Sequence, residues 1–177
     1  MDSLLETVQQ HLGPNEITQI SQQLDVDPTT ARSAIAAALP MIVGGMAQHA
    51  TQPSGADAIQ QSLASHDGVL AHLAGLLGAG GPADGGSLLG TIFGQHQAPV
   101  QQGVQQASGL DSERARRLIM LLAPIVMGVL ARRYTNNQSN PGQLGTVLQQ
   151  EGQIAQQRAQ TQAPQLGGLL GQIFKDL

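Results

Sequence analysis

Apolar residues near the start of this chain fall at spacings of three and four. Leu4, Leu5, Val8 and Leu12 mark one helical stripe over residues 3–12, which Gly13-Pro14 ends. Asn15 reads as the cap of a second helix, with Ile17, Ile20 and Leu24 on one face and Gln19, Gln22 and Gln23 outside. Residues 25–27 form a tight turn. Asp27 then caps a third helix whose first position is Pro28, where a missing N–H costs nothing. Ala31, Ile35 and Ala38 lead to Pro40, and the apolar run continues through Met46. An interior proline removes a backbone hydrogen bond and clashes with the preceding turn, so Pro40 predicts a kink or break in a buried helix. Residues 51–56 read as a loop, and 57–63 and 68–77 as short helices.

The pattern then recurs. Asp27, Ala31, Arg32, Pro40, Gly44 and Ala47 have counterparts 84 positions on in Asp111, Ala115, Arg116, Pro124, Gly128 and Ala131, with no gap. An internal repeat decides architecture before any single element does. The second copy predicts a helix over 100–107, a turn at Gly109, Asp111 as cap, an apolar helix through Pro124, a loop over 135–142 and a Gln-rich helix over 143–160. Residues 78–86 shift to Gly, Ala, Pro and Asp, a linker composition. A short apolar cassette follows, Ser87-Leu88-Leu89-Gly90-Thr91-Ile92-Phe93, and reappears as Gly168-Leu169-Leu170-Gly171-Gln172-Ile173-Phe174. No stretch alternates as strands do. The expectation is an all-α, multihelical fold of two tandem helical repeats, each built around a Pro-kinked apolar helix. Residues 1–78 form the first repeat and 79–94 the Gly-rich linker with its cassette. Residues 95–177 form the second repeat with the C-terminal cassette.

Composition narrows the function. Only 2% of residues are aromatic, which disfavours a base-stacking platform. The charged fraction is 11%, with glutamine replacing charge on the polar faces, so little like-charge repulsion opposes self-association. A net charge of −4 argues against a general polyanion binder. The absence of cysteine excludes disulfides, thiolate metal sites and thiol catalysis. The first residues lack a basic stretch followed by an apolar one, and the runs 34–47 and 118–131 are too short to span a bilayer unaided. A cytoplasmic location is expected.

Candidate chemistry is sparse. Residues 17–35 have the apolar spacing of a helix-turn-helix, and its counterpart opens with Arg114, Arg116 and Arg117, a possible nucleic-acid contact. Adjacent Arg116 and Arg117 diverge by about 100°, however, so they do not share one narrow face. The bland reading is that two amphipathic helices pack this way and the arginines are solvated ends. His11, His49, His66, His72 and His96 show no i, i+4 pair, so no metal site is expected. No nucleophile elbow or phosphate loop is present, so neither catalytic residues nor a cofactor are expected and the chain does not read as an enzyme. The cassettes carry the sharper suggestion. Each is too short to persist as an isolated helix and must dock on its own repeat, the other repeat or another molecule. Undocked, Leu88, Leu89, Ile92 and Phe93, with Leu169, Leu170, Ile173 and Phe174, would make an association surface. Docking within the chain is the simpler outcome.

The Leu39-Pro40 to Gly44 and Ala123-Pro124 to Gly128 helices, the Gln-rich helices and the Gly-Leu-Leu-Gly cassettes together resemble the YidB-like family, a bacterial domain of unknown function. The resemblance covers most of the chain. It implies a compact multihelical fold and brings no activity, cofactor or catalytic residue with it. A non-catalytic protein that binds a protein partner or assembles with itself is therefore expected, with DNA binding through the arginine cluster as the competing reading.

Overall fold

The computed structural model describes residues 3–66, 68–79, 85–136 and 144–162. Among them every regular element is a helix. The order is α1 (Leu4–His11), α2 (Pro14–Leu24), α3 (Pro28–His49) and α4 (Pro53–His66), then a 3-10 turn (Val69–His72) and α5 (Leu73–Gly78). After it come α6 (Gly85–Phe93), a second 3-10 turn (Gly94–His96), α7 (Gln97–Ser108), α8 (Ser112–Asn136) and α9 (Leu144–Gln162).

Local chemistry accounts for most of the helix ends. Ser3 and Glu6 form a capping box at α1, in which the Ser3 hydroxyl accepts from the Glu6 N–H and the Glu6 carboxylate accepts from the Ser3 N–H. Asp27 caps α3 by accepting from the N–H groups of Thr29 and Thr30 at 3.0 and 2.9 Å. Asp111 accepts from the Arg114 N–H at 2.9 Å, at the start of α8. Both carboxyls are held below the ordinary aspartate range, Asp27 chiefly by the Thr30 hydroxyl and Asp111 chiefly by the Arg114 N–H. The turn before each cap is left-handed, at Asp25 (φ 54°) and Gly109 (φ 71°), again 84 positions apart.

Three expectations change. Asn15 is not a cap: α2 begins at Pro14, after Gly13 in extended backbone with no side-chain cap, because proline is preorganised for the first helical position. The loop expected over 51–56 is shorter, since Pro53 starts α4 in the same way. The helix expected over 68–77 divides into the 3-10 turn and α5. Residues 80–84 of the predicted linker and 137–142 of the predicted loop lie outside the described residues.

Pro40 does not break α3, which is helical from Pro28 to His49. An interior proline costs about 3 kcal/mol, whereas burying one large aliphatic side chain returns about 1.5–3 kcal/mol. Leu39, Met41, Ile42, Val43 and Met46 are all fully buried around it. Packing therefore wins over propensity.

The core is one continuous cluster drawn from both ends of the chain, reaching from Leu4 to Ala155. Its wiring is crossed. α3 packs most extensively on α9 and α7, while α8 packs on α4, α7, α3, α1 and α2. Each long apolar helix is thus enclosed largely by helices distant from it in sequence. Among the described residues, α3 is the one helix long and apolar enough to cross a membrane, and 78% of its apolar window is buried inside this fold.

Candidate interaction site

The first cassette forms α6, and its apolar side is consumed by the core. Leu89, Ile92 and Phe93 are buried and Leu88 is half-buried against the same cluster. The helix rests on α4, α3 and α8. The Phe93 ring lies over Gly45 so closely that a Cβ there would come within 3.1 Å of it, while also striking Val100. The pairing of a large ring with a glycine notch holds α6 in register. Of the eight cassette residues expected to form an association surface, these four therefore belong to the interior or its edge. Leu169, Leu170, Ile173 and Phe174 lie outside the described residues.

A histidine pair closes the end of α6. Gly94, in left-handed backbone (φ 53°), sits against the His49 ring, where a Cβ would lie 2.5 Å from Cε1. The buried nitrogens His49 Nδ1 and His96 Nε2 have no hydrogen-bond partner among the described residues. Burial, aided by the neighbouring His96, lowers the His49 pKa below its ordinary value of 6.5, with the Thr91 backbone opposing it. No group of three or more metal-ligating side chains occurs among the described residues.

The arginine cluster is divided by the fold. The Arg114 Nε donates to the Leu24 carbonyl at 2.8 Å, and its Nη atoms reach Asp111 at 2.9 Å and Asp25 at 3.6 Å. Arg117 Nη1 donates to the Gln23 carbonyl at 3.1 Å, and its Nη2 lies 3.9 Å from Glu113. These two arginines cap the C-terminus of α2, whose last carbonyls have no partner within their own helix. Arg116 is exposed. The three are adjacent in sequence but do not form one open basic face.

Sequence reasoning did not find the clamp that holds α1. Buried Glu151 accepts from the Leu4 N–H at 2.9 Å and from Arg133 Nη1 at 2.8 Å. Arg158 Nη2 reaches Glu6 at 3.3 Å. A signal was available, because Glu151 is the single acidic residue in the Gln-rich α9. A lone acid among glutamines marks a position that needs its charge.

Neither the curated proteins nor the solved structures contain a match to this chain. The model of the family described as "Bacterial protein of unknown function (DUF937)", which includes YidB-like proteins, matches residues 6–133, well over half of the chain. The chain belongs to that family.

Proposed function

We propose that this is a non-catalytic interaction protein that associates with itself through the apolar segment bearing Leu169, Leu170, Ile173 and Phe174. The observation that carries this reading is the behaviour of the first copy of that pattern. In α6 the same Leu-Leu-x-x-Ile-Phe order makes a helix that buries Leu89, Ile92 and Phe93 in the core, and it already occupies its seat there. A second copy of the pattern needs a second seat, which self-association supplies. The glutamine-rich, weakly charged surface offers little repulsion between copies. DNA binding draws less support, because Arg114 and Arg117 are engaged by the end of α2.

The test is molar mass by light scattering across a wide concentration range. The expected result is a dimer or larger species that dissociates when Leu169 and Phe174 are replaced by Ser. A monomer throughout rejects self-association. Replacement of Arg114, Arg116 and Arg117 by Gln is expected to leave the mass of the assembly unchanged.

A further inference from the structure

A groove of about 310 Å³ opens between α1, α2 and the first turns of α3. Its apolar lining is Leu12, Pro14, Ile17, Ile35 and Ala36, with Arg32 at the rim. Arg32 is exposed and makes no ion pair among the described residues. Among the described residues, the positions 84 further on differ in kind. There, Leu12 and Ile17 are replaced by His96 and Gln101, and small Ala36 by Met120. Met120 packs against the core, and Gln101 donates to Ser112. The apolar lining of the first half is thus replaced in the second by polar side chains and by a methionine turned to the core.

We infer that this groove is the seat of the C-terminal segment 169–176 of the same chain. The inference rests on the reading of that segment as a docking element. Three observations converge on it. The segment repeats the order of α6, which buries its second Leu, its Ile and its Phe, so Leu170, Ile173 and Phe174 are the corresponding anchors. The tether starts beside a helix that lines the groove. The Arg158–Glu6 ion pair brings the end of α9 against α1. Gln9, which also lines the groove, follows Glu6 by three residues and so neighbours it on the helix surface. The six residues between Gln162 and Leu169 span up to about 20 Å when extended. The segment closes with Lys175-Asp176, so it brings a carboxylate for Arg32 without a net charge of its own. A short tether sets an effective concentration on the order of millimolar, so the segment occupies its own groove in dilute protein. At higher concentration it passes to the same groove of a second copy, as in domain swapping.

The chain has no cysteine, so disulfide trapping in the full-length protein is unambiguous. Ala36→Cys paired with Gln172→Cys is compared with a control pair, Gln61→Cys with Gln172→Cys, Gln61 lying on the exposed side of α4. At low micromolar concentration, the groove pair is expected to close at least about tenfold faster than the control, giving a product of monomer mass. Adding Phe174→Ser is expected to bring the rate down to the control. Equal rates for the two pairs, or a groove pair insensitive to Phe174→Ser, overturn the assignment. Ile17→Asp provides a second variant at the opposite face of the contact, read by the same trapping rate with circular dichroism as the check on folding. Failure of the two ideas is separable: fast trapping in a protein that stays monomeric at every concentration retains the groove and rejects self-association. Association without selective trapping rejects the groove alone.

Discussion

The two long apolar helices, α3 and α8, share a sequence pattern at a constant offset of 84 and have different neighbours. Position 45 in α3 is glycine, and Phe93 of α6 lies on it; the counterpart in α8 is Val129, and the counterpart of Phe93 is Gln9 on α1. A bulky ring goes with a notch, and a polar residue at the surface goes with a filled position. At the helix starts, Thr30 in α3 corresponds to Arg114 in α8. Thr30 turns back to its own cap Asp27, whereas Arg114 bonds its own cap Asp111 and also reaches across to the end of α2. The start of α3 is left open beside a groove, and the start of α8 is closed. The shared pattern makes two similar helices, and the residues that depart from it choose what covers each one.

Breaking the ring-and-notch pair should have the largest effect. Phe93→Ala removes a fully buried ring and is expected to cost about 3–5 kcal/mol in urea denaturation. Gln9→Ala, at the matching exposed position, should change stability by under about 0.5 kcal/mol. Equal losses at the two sites would erase the proposed asymmetry.

Gly45→Val makes α3 resemble α8 at that position. It should cost about 1–3 kcal/mol through overpacking against Phe93 and Val100. In the background of Phe93→Ala the cost should shrink, giving a double-mutant coupling of about 1 kcal/mol or more. Strict additivity would show that the ring and the glycine do not act as a pair.

Arg114→Gln tests the closed start of α8. It loses the bond to the Leu24 carbonyl, for an expected loss of about 1 kcal/mol, together with two exposed ion pairs that add little. The contribution of the ion pairs should vanish in high salt, because exposed pairs are screened, and the remainder should persist.

The smallest effect expected is a pH dependence from His49. Its folded pKa lies below the 6.5 of the unfolded chain, so above that pH the ring is neutral in both states. As pH falls through 6.5 the unfolded chain takes up the proton first, and stability declines until the folded pKa is reached. The melting temperature should therefore fall from pH 7.5 to pH 5.5, and His49→Gln should flatten the slope. A slope unchanged by that substitution assigns the effect to other groups.

Most elements of the fold were legible because their signals are local. Asp27 and Asp111 cap helices through bonds to N–H groups two or three residues away, and a repeat offset needs only the sequence to be seen. Misreadings came where two local signals compete, as at Gly13-Pro14-Asn15, where proline in the first position outranked asparagine as cap. The arginine cluster was visible as composition, but its role was not, because Leu24 and Gln23 lie about 90 residues away.

By itself, the sequence determined that the described residues are helical, that Asp27 and Asp111 cap two long apolar helices, and that these two share a residue pattern at a constant offset, since each follows from periodicity and bonds within a few residues. Only tertiary structure decided that α3 is enclosed by α9 and α7, that the apolar side of α6 is interior, and that Glu151 holds Arg133 and the start of α1. The physical reason is that apolar burial is non-directional. A stripe of leucine specifies that a face must be covered and leaves the choice of cover to shape, to notches such as Gly45, and to the few charges that must find partners.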